Sequence, residues 1–242
     1  MKYKRILLKL SGEALQGKGK HNLDFKVIRE IAKEFTNLTR EGIELAVVIG
    51  GGNIFRGRNI PKHSIDQATA DYMGMIATIM NAIALQSEVE RAGARCRVLT
   101  ALSIKEVAED YIRRKARGHL RDGRIVIFAA GTGNPYFTTD TAAALRALEI
   151  DADILLKATM NVDGVYTSDP KKKELASRRG GKKAKKLDTV SFQNALVKRL
   201  KVMDSTAFSL CQDNNLPIVV FKYKKGAIGK ILAGEKVGTL VK

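Results

Sequence analysis

The stretch Arg124–Ala144, RIVIFAAGTGNPYFTTDTAAA, decides the fold. It opens on an apolar run, Ile125–Ala130, short enough for a buried strand. The run breaks at Gly131-Thr132-Gly133-Asn134-Pro135 and resumes as Thr138-Thr139-Asp140-Thr141, followed by an Ala-rich helical pattern. Strand, small polar loop and capped helix in that order describe the carboxyl edge of a parallel α/β sheet, where ligands bind. Glycines let backbone approach a ligand, and free N–H groups at a helix start attract phosphate. The Thr138, Thr139 and Thr141 hydroxyls and the Asp140 carboxylate stand among them. Read alone, the stretch is equally an ordinary loop with a Thr/Asp N-cap, so the other strand ends must arbitrate.

Three of them carry related chemistry. Tyr3–Leu10 reads as a strand ending in Lys9-Leu10-Ser11-Gly12-Glu13. A lysine offers a point charge to phosphate oxygens, and the following glycine frees backbone N–H groups to face them. The spacing is not that of a Walker A loop. Glu44–Ile49 runs directly into Gly50-Gly51-Gly52-Asn53, with Arg56 and Arg58 behind. Three successive glycines are costly to order and make sense where a ligand lies on bare backbone. Ile154–Ala158 enters a segment holding Lys157, Thr159 and Tyr166. In a parallel sheet these ends line one rim able to hold several phosphates. Phosphoryl transfer needs mainly that positioning and charge stabilisation. The sequence offers no Ser-His-Asp or Cys-His set.

The intervening segments are helical. Asp24 caps a helix over Phe25–Glu41, with Ile28, Ile31, Phe35 and Leu38 as its buried stripe and Gly42 as its stop. Asp66–Ala92 reads as one long helix, apolar nearly all round from Tyr72 to Leu85 except at Thr78 and Asn81. Such a helix is expected to be buried on all sides, against its own sheet and a second subunit, and to be too short and interrupted for a bilayer. Asp71, at its polar start, is placed to face a ligand. The cluster Arg113-Arg114-Lys115 with Arg117 reads as solvated surface. Short helices near Ser191–Leu196 and Ala227–Ala233, a helix opening at Asp204, and strands at Ile218–Phe221 and Gly238–Val241 complete the chain. It is expected to form one domain over residues 1–242.

Composition bounds the function. The chain has 242 residues, 45% hydrophobic, and a formal net charge of +18. Lys171–Lys186, KKKELASRRGGKKAKK, contributes nine basic residues and one acid, and reads as a solvated surface loop with generic anion attraction. It lacks the interleaved aromatics of a base-stacking surface, so nucleic acid is not the expected partner. Cys96 and Cys211 read as reduced core residues of a cytoplasmic protein, and His21, His63 and His119 lack metal-ligand spacing. No signal peptide is recognisable at the amino end.

The motifs taken together resemble the bacterial-type UMP kinases of the amino acid kinase family. The resemblance is carried by KLSGEAL at Lys9–Leu15, VVIGGGNIFRG at Val47–Gly57, DYMGMIATIMN at Asp71–Asn81, AGTGNPYFTTDTAAALRALEI at Ala130–Ile150, KATMNVDGVYTSDP at Lys157–Pro170, LKVMDSTAF at Leu200–Phe208, and the late GTL. It implies a three-layer αβα sandwich around a mainly parallel sheet, and transfer of a phosphoryl group from ATP to UMP with Mg²⁺. It also implies a homohexamer built from dimers, with UTP as an inhibitor at the UMP site. Carried onto this chain, it places Lys9, Leu10, Ser11, Gly12, Gly52, Arg56, Thr159, Asn161, Tyr166 and Asp169 by ATP. It places Gly51, Asp71 and the run Thr132, Gly133, Asn134, Pro135, Tyr136, Phe137, Thr138, Thr139 by UMP. Lys9 would stabilise the moving phosphoryl group, with Asp140 and Asp204 organising Lys9 and Mg²⁺, the metal being carried mainly by ATP phosphates. The chain departs from the pattern at Gly17–Asn22, GKGKHN, where GTP-regulated members carry Gly-Phe-Gly. Two alternatives stand beside this reading: a kinase of the same fold with another phosphate or carboxylate acceptor, and an added nucleic-acid or regulatory role through the basic loop.

Overall fold

The computed structural model describes residues 3–17, 21–57, 64–167, 184–198, 200 and 202–242. Its strands are β1 (Arg5–Leu10), β2 (Glu44–Ile49), β3 (Cys96–Thr100), β4 (Glu109–Asp110), β5 (Ile125–Ala129), β6 (Ile154–Thr159), β7 (Thr189–Val190), β8 (Ile218–Lys222) and β9 (Thr239–Val241). Among the described residues they form one nine-stranded sheet in the order β4-β3-β5-β2-β1-β6-β8-β9-β7. Every pairing is parallel except β8 with β9. Among the described residues the helices are α1 (Phe25–Arg40), α2 (Gln67–Arg91), α3 (Arg113–Arg121), α4 (Thr139–Glu149), α5 (Phe192–Val197), α6 (Ser205–Asp213) and α7 (Ala227–Leu232), and Gly12–Leu15 form a 3-10 turn.

The central strands are apolar on both faces because both faces are covered. In β1, Ile6, Leu8 and Leu10 point into a core shared with α1, α2 and α7. Leu7 points the other way, into a core shared with α3, α4, α5 and α6. The same alternation runs through β2, where Leu45, Val47 and Ile49 face one layer and Ala46 and Val48 the other. This period of two gives the three-layer αβα sandwich. Fully burying a side chain such as Leu7 is worth about 1.5–3 kcal/mol.

Two helices begin as their sequences dictate. Asp24 accepts hydrogen bonds from the backbone N–H groups of Lys26 and Val27 at 2.9 and 3.4 Å, a cap worth about 1 kcal/mol. Thr138 caps α4 through the N–H groups of Asp140 and Thr141 at 3.1 and 3.2 Å.

The long helix corrects one expectation. Helix α2 spans 25 residues and is long and apolar enough by composition to cross a membrane. Its polar residues tie it into the protein instead: Thr78, Asn81 and Glu88 are all buried, and Glu88 pairs with Arg29 at 3.0 Å. Within the single chain one side is covered by the sheet and the other, the side expected against a second subunit, is not. Tyr72, Met73, Ile76, Met80 and Ile83 form an outer stripe between 38% and 50% exposed. The basic cluster on α3 is also more than solvated surface. Arg113 and Arg117 pair with Asp151 at 3.3 and 2.8 Å, and Arg113 Nε donates to the Glu149 carbonyl at 2.5 Å. These bonds pin α3 to the carboxyl end of α4, where a cation is favoured.

Candidate active site

The chain leaves neighbouring strands toward opposite layers at two places. After β1 and β2 it passes to α1 and α2 on one face; after β5 and β6 it passes to α4 and to α5–α6 on the other. Since the central order is β5-β2-β1-β6, crevices open between β2 and β5 and between β1 and β6. The four strand ends singled out in the sequence are therefore consecutive on one rim.

At the β1/β6 crevice, Lys9 and Lys157 are register partners across the parallel pair. Both follow the side of Leu7 and Leu155, so both project toward α4. Two ammonium groups side by side repel, and Asp140 stands between them. Its Oδ2 accepts a 2.5 Å hydrogen bond from Lys157 Nζ, and its Oδ1 lies 3.0 Å from Lys9 Nζ. Lys157 also donates to the Val202 carbonyl at 2.9 Å, whereas the Lys9 contact is an ion pair without aligned hydrogen-bond geometry. Lys157 is thus anchored and Lys9 is held close but free to turn. All three side chains are about 15% exposed. Burial alone would raise the Asp140 carboxyl, but the Lys9 and Lys157 charges outweigh it and hold the group below the ordinary aspartate value. Burial, with Lys9 adding to it, lowers the Lys157 ammonium against the pull of Asp140.

Asp204 stands one layer behind. It caps α6 through the Ala207 N–H at 3.0 Å and accepts from the Thr138 and Thr141 hydroxyls at 2.5 and 3.1 Å. It is bonded to the start of α4 rather than to Lys9. That bonding fixes the helix turn on which Asp140 sits.

The glycine loops have a reason the sequence did not reveal. A Cβ on Gly51 would lie 2.7 Å from the Gly74 carbonyl and 2.9 Å from Ala77 Cβ, so this glycine is required by the approach of α2. A Cβ on Gly12 would lie 2.5 Å from the Gly50 carbonyl. Within Gly50–Gly52, Gly52 is the least crowded, its nearest neighbour being Arg56 Nε at 3.6 Å. Arg56 donates to the Gly52 carbonyl at 2.5 Å and pairs with Glu13, a residue the sequence reading passed over. Leu10 is wholly buried, and its carbonyl accepts from the Gly50 N–H at 2.9 Å.

At the β2/β5 crevice lies a cleft of about 560 Å³. Its wall brings together Gly51, Gly52, Arg56, Asp71, Thr132, Phe137, Thr138 and Thr139. Asp71 Oδ2 accepts from the Tyr136 N–H at 2.7 Å, and its Oδ1 accepts from Gln67 at 2.7 Å. The loop above the cleft turns through left-handed backbone at Ala130, Gly131, Gly133 and Tyr136. The Gly133 N–H donates to the Ala130 carbonyl at 2.9 Å, and Thr132 and Asn134 bond to one another at 3.2 and 3.3 Å. Gly133, Asn134, Pro135 and Tyr136 belong to this loop but do not line the cleft. Thr78, one of the two polar breaks in the apolar run of α2, accepts the Ala130 N–H at 2.7 Å from below.

The remaining expected residues cluster beyond β6. The Thr159 hydroxyl bonds within its own loop, accepting the Val162 N–H at 3.2 Å. Asn161 is exposed, and the Tyr166 hydroxyl donates to Asp163 at 2.7 Å. Asp169, and with it Arg58 and most of the basic run, lies outside the described residues.

Comparison with known proteins gives this arrangement its relatives. Residues 4–222 match the model of the amino acid kinase family. The crystal structure of UMP kinase from Bacillus anthracis superposes with a TM-score of 0.92 at 39% identity, covering 100% of this chain and 97% of that one. UMP kinase from Ureaplasma parvum gives 0.91 at 35% identity, with both chains fully covered. Uridylate kinase from Archaeoglobus fulgidus gives 0.73 at 27% identity, covering 98% and 99%. With a family match over most of its length, a shared αβα architecture and paired lysines at the rim, this chain belongs to the amino acid kinase family.

Proposed function

We propose that the protein is a UMP kinase, reversibly transferring the γ-phosphoryl group of ATP to UMP to give ADP and UDP for pyrimidine nucleotide synthesis in the cytoplasm. The observation that carries this is the Lys9–Asp140–Lys157 array at one crevice, adjoining the Asp71 and Gly131–Thr139 cleft at the next. One crevice supplies charge where a phosphoryl group passes; the other supplies a walled recess for a nucleotide acceptor. The nearly full-length likeness to UMP kinases selects UMP as that acceptor.

A phosphate oxygen of UMP attacks the γ-phosphorus, the bond to the β–γ bridging oxygen breaks, and the charge passes to ADP. The acceptor oxygen is already ionised at neutral pH, so no general base is required. Lys9, close to Asp140 but unaligned with it, turns to the phosphoryl oxygens in the transition state, where charge placement dominates the rate. Asp140 and the anchored Lys157 hold it there. Asp71 exchanges the Tyr136 N–H for the UMP ribose. UTP, sharing uridine with UMP, competes for the same cleft.

Magnesium fits this donor set as an ion brought by ATP. Among the described residues no group of three or more His, Cys, Asp or Glu side chains could hold a metal, and both Asp140 oxygens face lysines. When bound, the ion neutralises phosphate charge. Residues 1–242 act as one domain, and the outer stripe of α2 pairs copies of the chain within a hexamer.

A coupled ADP-release assay with UMP, CMP, dUMP, AMP and isopentenyl phosphate tests the assignment. Turnover with UMP above the other acceptors supports it. A folded protein with no UMP-dependent turnover overturns it. Sedimentation of the wild type against Met80→Glu tests the assembly, which should break down in the variant.

A further inference from the structure

Beneath the phosphate rim, two buried asparagines form a closed amide pair. Asn81 on α2 is wholly buried, and Asn53, at the end of the glycine run, is 8% exposed. Asn81 Nδ2 donates to Asn53 Oδ1 at 2.8 Å, and Asn53 Nδ2 donates back to Asn81 Oδ1 at 3.0 Å. The second proton of each amide leaves the pair: Asn81 donates to the Gly50 carbonyl at 2.6 Å and Asn53 to the Asn22 carbonyl at 2.7 Å. All four amide protons are therefore used. Gly12 lies against the pair, since a Cβ there would sit 2.2 Å from Asn53 Oδ1 and 3.0 Å from Asn81 Nδ2. Four chain segments meet on this floor: the β1 end, the β2 end, α2 and the segment around Asn22.

We infer that Asn53 and Asn81 are positioning residues that set the spacing of the Ser11-Gly12 and Gly50–Gly52 loops. They touch no reacting atom and act through the backbone they hold. A buried polar pair in an otherwise apolar helix costs stability unless it is satisfied, and here one bond goes to the Gly50 carbonyl, one to the Asn22 carbonyl, and the pair packs directly on Gly12. Displacing such loops by about 1 Å costs about 100-fold in rate, because an in-line transfer needs its partners aligned. The Gly131–Phe137 loop is held separately, by Thr78. This inference rests on the kinase reading, and its test separates the two.

Hydrogen exchange on the unliganded protein comes first, comparing wild type with Asn81→Ala and, should that variant fail to fold, with Asn53→Ala. Exchange should quicken in peptides covering residues 10–15 and 50–54 and stay unchanged over 130–137. Uniform quickening, or none, overturns the inference whatever the enzyme's activity. Kinetics follow, with wild-type turnover of UMP as the separate check on the kinase reading. The same variants should lose about 10- to 100-fold in kcat with the KM for UMP within about threefold. Thr78→Val should show the reverse split, raising that KM with little loss of kcat. Equal effects of Asn81→Ala and Thr78→Val on kcat and KM would overturn the positioning role.

Discussion

The two crevices on the rim are built differently. At β1/β6 the charges are already assembled: two lysines and an aspartate, each about 15% exposed, hold one another before any ligand arrives. At β2/β5 the cleft is roofed by a loop whose Tyr136 and Phe137 are 76% and 50% exposed, tied to α2 by the Tyr136 N–H to Asp71 and, at its base, by the Ala130 N–H to Thr78. Charge stabilisation works best when few groups reorganise during reaction, and here Asp140 and Lys157 are fixed in advance and only Lys9 has to turn. Recognition tolerates, and closure over a substrate requires, a loop of lower local stability.

The largest effect that could break this contrast is at Lys9. Lys9→Ala should lower kcat by about 10⁴-fold, the order lost with a cationic group in phosphoryl transfer. UMP affinity by calorimetry should stay within about threefold, since the lysine stands at the other crevice. An equal loss of UMP affinity would show that the crevices are not separate.

Asp140→Asn should come next, destabilising the fold by about 3–5 kcal/mol because two buried ammoniums lose their counter-charge. The pH dependence follows from the lowered Asp140 carboxyl. The unfolded state takes up its proton first on acidification. The stabilisation is therefore complete above the ordinary aspartate value and is lost as pH falls through the lowered one. Urea melts of wild type and Asp140→Asn should converge in acid and diverge toward neutrality. A gap independent of pH would remove the ionic account of this crevice.

Smaller effects belong to the second crevice. Asp71→Asn should raise the KM for UMP by about 10-fold with kcat within about twofold, as expected of a binding contact. Tyr136 occupies left-handed backbone at φ 70°, a conformation that costs a bulky residue about 1 kcal/mol. Tyr136→Gly relieves that cost but frees the unfolded chain by a similar amount, so the melting midpoint should barely move. A large shift would mean that the loop is as rigid as the lysine array.

Much of this was legible in the sequence. Glu44–Ile49 is a strand with the bounds its apolar run predicts, and Asp24 and Thr138 cap the helices their positions announce. The four Gly-, Lys- or Thr-bearing strand ends do fall on consecutive strands. The long apolar helix was harder. Its composition predicts burial against the sheet and a second subunit, but composition cannot say which face meets the sheet and which, with Ile76 and Met80, lies on the outer side of the chain. The glycine run reads as bare backbone for a ligand, and in the fold Gly51 also answers to the helix packed on it. Asp204, expected to organise Lys9 and Mg²⁺, braces the turn that carries Asp140.

The sequence by itself determined the alternation of strands and helices, the capped helix starts and the chemistry available at each strand end. Local periodicity, turn residues and side-chain type carry those. Tertiary structure alone decided which ends are neighbours. Lys9 and Lys157 are 148 residues apart in sequence, yet sheet order makes them register partners, and only then does Asp140 acquire two charges to balance. Asn53 and Asn81 likewise become a closed pair only when α2 packs on the sheet, because hydrogen bonds between distant residues exist only after the chain has brought them within 3 Å.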